Sequence, residues 1–346
     1  MMTQILKQVV GIDVAMDELV CVAAQLDIDQ RVQILEKKSF TNNHEGFTQL
    51  VEWKATCFKE ISYPLGSASK VWFVMEATGV YNQHLAYYLV GAGEEVSIQL
   101  ANRVKNFSRS LNVKSKTDLM DAEVIAKMGL ERKMEAWNPP SDKMRQIRSL
   151  CREYSERIRK RAKLRNQLHA LGKAYGTSPK IMRRYKREEA FVTELIEEIE
   201  VELKMIVQED DLLRDKMKKL KTIPGLGFMT LIILIGETQG FSLIENGKQL
   251  ASYAGFDVVE KQSGRSRGKS YISKKGNRFI RQALYMPALA ASRCNQPMKD
   301  FYQGLAERKP AKRIALTAVA RKLLILTYTL WKNDTVFDPN YGVKAA

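Results

Sequence analysis

Hydrophobic and polar positions along the first 140 residues alternate between strand-like and helix-like spacing. Apolar runs at Val9–Val14 and Leu19–Ala24 flank a short polar turn, which predicts a hairpin, and alternation over Arg31–Phe40 predicts a third strand. The same pattern predicts two later strands and three helices, at Lys70–Met75, Glu95–Leu100, His44–Lys54, Tyr81–Ala92 and from Arg103 onward. The resulting order, β-β-β-α-β-α-β-α, indicates a mixed sheet with helices on its faces.

The pattern changes after Asn138-Pro139-Pro140, where the prolines favour a boundary. Beyond it, apolar residues recur at alternating spacings of three and four, which predicts a long helix with a heptad seam. The seam consists of Met144, Ile147, Cys151, Tyr154 and Ile158. A second helical stretch, Glu188–Lys221, has similar spacing. The two stretches predict an antiparallel helical pair or a coiled coil.

The last third of the chain reads as mainly helical. It opens with Ile223-Pro224-Gly225-Leu226-Gly227, a Gly-x-Gly turn before an apolar helix, which is typical of helix-hairpin-helix elements that present backbone N–H groups to phosphate. Helices are predicted at Phe228–Gly236, around Leu250–Ala254, at Asn277–Arg293 and at Ala311–Lys332. The predicted fold class is therefore α/β plus α, with domains at 1–140, 141–221 and 222–346.

The charge of the chain indicates a polyanionic partner. The 346 residues carry 56 Lys and Arg against 39 Asp and Glu, a formal net charge of +17. The longest aliphatic run, Met229–Ile235, is far shorter than the roughly 20 residues of a bilayer span. We therefore expect a nucleic-acid partner, no membrane, and a cytoplasmic location.

The excess of basic residues is concentrated in the predicted helical pair. Residues 143–187 hold 16 Lys and Arg and 2 Glu, whereas residues 188–211 hold 10 acidic residues and one Lys. One interpretation is a solvated helix pair whose charges offset each other. The other is a surface that binds a nucleic-acid backbone, because the acidic stretch is too small to neutralise the basic one. Its candidate residues are Arg159, Lys160, Arg161, Lys163, Arg183 and Arg184.

Four carboxylates occur where a metal-dependent nuclease needs them. Asp13 and Glu76 follow the apolar runs VVGI and VWFVM, and the spacing of three between Asp118 and Asp121 places both on one helix face. Such a cluster suits two Mg²⁺ ions about 4 Å apart for phosphodiester chemistry. The structural alternative is that Asp118 is a helix N-cap and Asp121 favours the helix dipole.

Motifs in both halves of the chain resemble one known family. GIDVAMDEL, EATGVY, NVKSKTDLMDAEVIA, IPGLGFMTLIILIGE, LASYAGF and ISKKGNRFIRQALYMPALAAS occur in this order. They resemble the DEDD-type insertion-sequence transposases, relatives of the Piv invertases, whose N-terminal domain looks like RuvC, an RNase H fold. The resemblance implies that Asp13, Glu76, Asp118 and Asp121 are the DEDD tetrad and bind Mg²⁺, for which Mn²⁺ can substitute.

The resemblance also implies a role for the basic, serine-rich segment KQSGRSRGKSYISKKGN. In the family, a serine before a glycine attacks DNA and forms a phosphoserine, and the matching residue here is Ser263. Three other serines in the segment compete for this role, namely Ser266, Ser270 and Ser273. The expected phosphate-binding residues are Arg265, Arg267, Lys269, Lys274 and Lys275.

Members of the family resemble RNA-guided systems in which a structured noncoding RNA, the bridge RNA, pairs with donor and target DNA. The resemblance further implies a tetramer formed from two dimers, acting at the bacterial nucleoid. Three alternatives remain: a RuvC-like nuclease that uses water, a Piv-like invertase that needs no RNA, and a noncatalytic protein that condenses nucleic acid.

Overall fold

The computed structural model describes residues 5–58, 70–77, 79–111, 117–242, 244–260, 262–263, 266–267 and 271–340. The chain divides into two compact units, Met1–Pro139 and Pro140–Ala346. The further division of the second unit at residue 221 stays a prediction.

The first unit contains a five-stranded mixed sheet with helices, as the alternating pattern predicted. Its elements are β1 (Ile5–Val14), β2 (Glu18–Asp27), β3 (Val32–Thr41), α1 (His44–Cys57), β4 (Trp72–Glu76), α2 (Gln83–Gly91), β5 (Glu95–Gln99), α3 (Ala101–Ser110) and α4 (Asp118–Glu131). The strand order is β3-β2-β1-β4-β5; β1, β4 and β5 run parallel, and β2 is antiparallel to both β1 and β3. The helix predicted from Arg103 onward is in fact two helices, α3 and α4.

Alternation along the central strands separates two apolar layers of the sheet. Val10 and Ile12 pack with side chains of α1 and α2, whereas Val9 packs on the opposite face with side chains of α3 and α4. Successive side chains of a strand point to opposite faces, so the period of two in the sequence assigns each residue to a layer. Helices therefore cover both faces of the sheet.

The second unit is mainly helical. Its elements are α5 (Asp142–Lys173), α6 (Pro179–Gln208), α7 (Asp211–Leu220), α8 (Phe228–Thr238), α9 (Gly247–Ala254), β6 (Val258–Val259), β7 (Gln262–Ser263), β8 (Ser266–Arg267), β9 (Tyr271–Ile272), α10 (Arg278–Cys294), α11 (Gln296–Ala306) and α12 (Lys312–Asn333). The helix predicted at Glu188–Lys221 starts earlier, with Pro179 in its first turn, and is divided in two. The break occurs because the Asp210 side chain accepts a hydrogen bond from the Leu213 backbone N–H and thereby caps a new helix.

The N-terminal part of α5 belongs to the main core of the second unit. Ile147 and Cys151 of the predicted seam are buried in one apolar cluster with Leu203 of α6 and with α8 and α12. Farther along the helix pair, Leu164 packs on Val192 in a separate small cluster. The coiled coil and the helix-hairpin-helix element stay predictions.

One helix, α12, is long and apolar enough to cross a membrane by length and composition, and half of its most apolar stretch is buried inside the structure. Its buried residues Val319, Leu323 and Leu324 belong to the main core of the second unit. A core helix of this kind explains the apolar composition.

Candidate functional site

The ends of β1 and β4 place two of the predicted acids side by side. The parallel register pairs Val10 with Phe73 and Ile12 with Met75, so Asp13 and Glu76 are the next residues along the two neighbouring strands. Val74 packs on the face of the sheet that α3 and α4 cover, and the period of two puts Glu76 on that same face. Asp13 lies on it as well, because Val9 does.

A close helix–strand contact brings the other two acids to this end of the sheet. A Cβ atom on Gly11 would lie 2.4 Å from the Ala126 nitrogen and 2.6 Å from the Ala122 oxygen, and one on Gly129 would lie 2.8 Å from Val9. Ala122 and Ala126 of α4 contact Gly11 of β1, and the later residue Gly129 contacts the earlier residue Val9. The helix and the strand therefore run in opposite directions. The N-terminus of α4 must lie at the C-terminal end of β1, where Asp13 is.

The first turn of α4 carries both remaining acids. The N-cap is Thr117, whose side-chain oxygen accepts from the Met120 backbone N–H at 3.2 Å, so the structural alternative in which Asp118 is the N-cap is wrong. Thr117 has the extended backbone that an N-cap requires, which leaves Asp118 as the first helical residue. Asp118 is exposed and Asp121 is partly buried. We name Asp13, Glu76, Asp118 and Asp121 together the carboxylate edge.

Electrostatics couples the four acids at Asp13. Burial, followed by the negative charges of Asp121, Asp118 and Glu76, raises the pKa of the half-buried Asp13 carboxyl to about 6. The three acids act in this direction because like charges disfavour ionisation of a neighbour. Among the residues that the structure describes, no group of three or more His, Cys, Asp or Glu side chains is placed closely enough to hold one metal ion.

The serine-rich segment forms a nested β-hairpin in the second unit. β6 pairs antiparallel with β9, and β7 pairs antiparallel with β8, where Ser263 is opposite Ser266. We name the four strands β6 to β9 together the serine hairpin. The structure gives the backbone position of Ser263 and of Arg267 in these strands. Arg265 and Lys269, like Ser270, lie outside the described residues.

Two of the predicted phosphate-binding lysines lie just beyond the serine hairpin. Lys274 and Lys275 are both exposed, and Lys274 has a φ of 55°. The Lys274 backbone N–H donates to the Gly255 oxygen at 3.1 Å, and the Lys275 backbone N–H donates to Ser273 Oγ at 3.2 Å. The backbone of this pair is thus held while both ammonium groups stay open to an anionic ligand.

Basic residues of α5 and α6 line a groove on the helix pair. A cavity of about 560 Å³ is lined by Arg159, Lys160, Lys163, Leu164, Gln167, Tyr185 and Glu188. Lys160 is paired with Glu188 at 2.9 Å, so the two halves of the pair offset part of their charge. Arg183 and Arg184 are exposed on α6, whereas Arg161 is partly buried. The groove combines cations with an aromatic ring, which suits a nucleic-acid strand.

One charged residue of the second unit was missed by sequence reasoning. Glu237, near the end of α8, is 1% exposed and accepts two hydrogen bonds from Arg152 and one from Asn277. The available signal was an acid directly after the apolar run LIILIG, where an unpaired charge is unfavourable.

Two family models match the chain. A DEDD-type transposase model matches residues 10–175, and the model for the transposase IS116/IS110/IS902 family matches residues 217–303. Together they cover most of the chain.

Curated relatives cover nearly the same span. The pilin gene-inverting protein of Moraxella lacunata is 29% identical over 87% of this chain and 90% of its own length. The transposase for insertion sequence element IS1328 of Yersinia enterocolitica is 24% identical over 73% of this chain and 82% of its own length. A solved structure of T. thermophilus RuvC with a Holliday junction substrate aligns over 35% of this chain and 91% of that chain at 16% identity, and its TM-score of 0.24 is too low to bear on the fold.

Proposed function

Because the chain belongs to the IS110-type family of DEDD transposases, we propose that it is a DNA recombinase that cleaves and rejoins DNA strands of a mobile element. The observation that carries this proposal is the carboxylate edge. Two strand ends and one helix N-terminus converge there, and Asp13 is coupled to all three other acids. Separate structural roles for four acids do not require such convergence.

The carboxylate edge suits Mg²⁺ as its cofactor, with two ions per site and Mn²⁺ as a substitute. Its donors are all carboxylate oxygens, which is the ligand type that Mg²⁺ prefers. Burial and the negative charges of the other three acids together raise the pKa of Asp13, and a divalent cation would relieve the charge part of this shift. When bound, the metal supplies charge stabilisation for the attacking and leaving oxygens. Asp13, Glu76, Asp118 and Asp121 are the residues that would hold it.

The proposed nucleophile is Ser263, in the hairpin strand β7. Its Oγ forms a bond to phosphorus while the bond from phosphorus to the 3′ oxygen breaks, which leaves a phosphoserine and a 3′ hydroxyl. The serine proton passes to a general base and is returned to the 3′ oxygen. The phosphoester conserves the bond energy for rejoining.

The basic groove on α5 and α6 is the proposed surface for a structured guide RNA. Arg159, Lys160 and Lys163 line it together with Tyr185, so phosphates and one unstacked base have suitable partners. Sequence selection then rests on base pairing between the guide RNA and both DNA duplexes, and the protein reads RNA shape and backbone. Four strand breaks are needed to exchange two duplexes, which favours a tetramer formed from two dimers.

A second candidate function is site-specific DNA inversion without RNA. It is favoured by the 29% identity to a pilin gene-inverting protein over 87% of this chain. The chemistry at the carboxylate edge and at Ser263 is the same in both candidates. Dependence on the flanking noncoding RNA separates them.

A covalent-adduct assay tests the proposal. Purified protein is incubated with Mg²⁺, labelled donor and target DNA and the flanking noncoding RNA, and protein–DNA adducts are resolved on a denaturing gel. We expect an RNA-dependent adduct that is absent from Ser263→Ala and present in the matched variant Ser266→Ala. Cleavage without an adduct, unchanged in Ser263→Ala, would identify water as the nucleophile. An adduct that forms equally without RNA would favour the invertase.

A further inference from the structure

Glu237 holds a buried ionic network in the second unit. Its Oε1 accepts from Arg152 Nε at 2.7 Å, and its Oε2 accepts from Arg152 Nη2 at 3.0 Å and from Asn277 Nδ2 at 2.6 Å. Arg148 Nε lies 3.6 Å from the same carboxylate. The Glu237 side chain is fully buried, whereas the Arg152 side chain is 42% exposed. The carboxylate is thus surrounded by donors.

Filling a core position with such a network costs free energy, because a charge is removed from water. A buried carboxylate gives up its hydration even when its partner stays partly exposed, and a well-packed apolar group in place of a buried ion pair is often as stable. Five neighbouring positions on α8, Leu231 to Ile235, are in fact apolar and buried. Burial alone therefore does not explain an acid at position 237, and the contacts of this acid indicate its role.

Besides the two arginines of α5, Glu237 has partners at both ends of the segment that contains the serine hairpin. On the incoming side, Tyr253 Oη donates to the Glu237 backbone oxygen at 2.8 Å. On the outgoing side, Asn277 binds the carboxylate, and its backbone N–H donates to the Tyr253 oxygen at 2.7 Å. One residue of α8 therefore fixes the chain both before and after the hairpin.

The amide group of Asn277 both caps α10 and donates a hydrogen bond to Glu237. Its Oδ1 accepts from the backbone N–H groups of Phe279 and Ile280 and so caps α10, while its Nδ2 donates to Glu237. The Glu237 contact thereby orients the cap residue as well as the chain end. Close backbone approach supports the same junction, because a Cβ on Gly276 would lie 2.5 Å from the Gly255 nitrogen.

We propose that Glu237 is a positioning residue that, through Asn277 and Tyr253, fixes the base of the serine hairpin for the recombination step. The inference rests on the proposed function, because it assumes that Ser263 is the nucleophile. Glu237 contacts neither DNA nor the reacting atoms in this role. Its effect is on how often the hairpin presents its serine in the reactive orientation.

An exchange of the two side-chain types tests this role. Asn277→Asp keeps the oxygen that caps α10 but turns the amide donor into a carboxylate that faces Glu237. The double variant Glu237→Gln with Asn277→Asp restores the hydrogen bond between these two side chains with donor and acceptor exchanged, although the new amide nitrogen at position 237 no longer accepts the bond from Arg152 Nη2. The control is Asn246→Asp at the exposed N-cap of α9, where Oδ1 caps the helix in the same manner.

Two readouts are measured on the full chain. The first is the rate of adduct formation at saturating DNA together with the DNA concentration for half-saturation. The second is amide hydrogen exchange in β6 and β9 without nucleic acid. We expect Asn277→Asp to slow the saturated rate about tenfold or more, the value of one hydrogen bond to a charged group, with DNA affinity little changed. The exchanged pair recovers part of both readouts, since it regains the bond to residue 277 but not the one from Arg152 Nη2, and Asn246→Asp changes neither.

Each outcome decides a different statement. A wild-type rate in Asn277→Asp, or a slowed rate that the exchanged pair does not raise, overturns the positioning role while the serine chemistry stands. No adduct in the wild-type chain overturns the serine chemistry instead. In that case, hydrogen exchange is the deciding readout. Faster hydrogen exchange in Asn277→Asp that the double variant reverses still supports the role of Glu237 in fixing the base of the serine hairpin, and unchanged hydrogen exchange overturns it. If Asn277→Asp does not fold, Asn277→Ser keeps the cap without the donor and gives the same comparison.

Discussion

Asp13 and Glu237 are carboxylates that follow apolar runs in the two units, and their surroundings shift their pKa values in opposite directions. Burial and three neighbouring acids raise the pKa of Asp13 to about 6. Burial also acts to raise the pKa of Glu237, but hydrogen bonds from Arg152 and Asn277 and the positive charges of Arg152 and Arg148 outweigh it and lower that pKa. The same chemical group is therefore placed among like charges in one unit and among donors in the other.

The contrast separates a carboxylate that is positioned for a ligand from one that holds the fold together. A folded chain satisfies its buried charges internally wherever they serve structure, as the arginines around Glu237 do. Acids gathered beside one another oppose folding unless a cation binds them, so their convergence indicates function. Variants of the carboxylate edge are therefore expected to lose activity with little change in stability, whereas variants of Glu237 are expected to lose stability as well.

The largest expected effect is on activity at the carboxylate edge. Asp118→Asn and Asp121→Asn each remove a proposed metal ligand, and each is expected to lower Mg²⁺-dependent strand cleavage at least about 100-fold. Guide-RNA affinity and the urea midpoint should change little, because neither side chain belongs to the basic groove or to the core. Cleavage and RNA-binding assays on the same preparations measure both.

Glu123→Gln is the matched control for these variants. Glu123 lies on the same helix but is paired with Lys37 on β3, away from the acid cluster. It should retain cleavage activity. Loss of RNA binding in both aspartate variants, or an equal loss of cleavage in Glu123→Gln, would contradict a catalytic role for the edge.

The second effect is on stability at Glu237, the buried acid whose charge is balanced by Arg148 and Arg152. Glu237→Leu leaves Arg148, Arg152 and the Asn277 amide without their shared acceptor, and should lower the free energy of unfolding by about 2 to 3 kcal/mol. Urea denaturation measures it. The control Glu197→Leu, at an exposed position of α6, should stay within about 0.5 kcal/mol of wild type. Equal stability of Glu237→Leu and wild type would show that the network only fills space.

The third effect is a combined loss of stability and cleavage activity on substitution of Gly11. Gly11→Ala places a methyl group within 2.6 Å of backbone atoms of α4, which cannot rotate away as a side chain can. We expect a loss of about 2 kcal/mol and a further loss of cleavage, because α4 carries Asp118 and Asp121. Gly91→Ala is the control, since a Cβ there meets nothing within 4 Å and helix propensity favours alanine. Normal cleavage in Gly11→Ala would show that the close contact between β1 and α4 is not needed to position Asp118 and Asp121.

The sequence predicted much of the first unit because period-two alternation assigns residues to faces. It identified the strands and thereby the edge where Asp13 and Glu76 meet. It did not predict how closely α4 packs, because the contact of Gly11 with Ala122 and Ala126 joins residues more than 100 positions apart. Nor did it predict that Thr117, in place of Asp118, caps α4.

The second unit was less predictable for a related reason. Helical spacing identified most of its helices, but the break before α7 depends on a single capping contact from Asp210. Glu237 was missed because its partners Arg152 and Asn277 are 85 and 40 residues away along the chain. Local patterns record which residues are apolar and not which distant donors surround a buried acid.

The smallest expected effect is a pH dependence of opposite sign at the two carboxylates. The folded chain retains the Asp13 proton up to about pH 6, whereas the unfolded chain loses it near the ordinary value of 3.8. The stability of the metal-free protein therefore falls through this group as the pH rises from about 4 to 6. Asp13→Asn removes that loss, and the variant should be more stable than wild type above pH 6 by about 1 kcal/mol, a value reduced by solvent screening at a half-exposed group.

Glu237→Gln should show the reverse. A lowered pKa contributes stability above the ordinary glutamate value of 4.5 and loses it as the pH falls through the folded pKa, so this variant is the less stable one at neutral pH and approaches wild type in acid. Urea midpoints from pH 4 to 7 in EDTA compare both variants with wild type. Added Mg²⁺ should stabilise wild type more than Asp13→Asn at pH 7, because a cation relieves the charge that the asparagine has already removed. If Asp13→Asn were less stable than wild type at pH 7 in EDTA, Asp13 would have to be a compensated acid like Glu237.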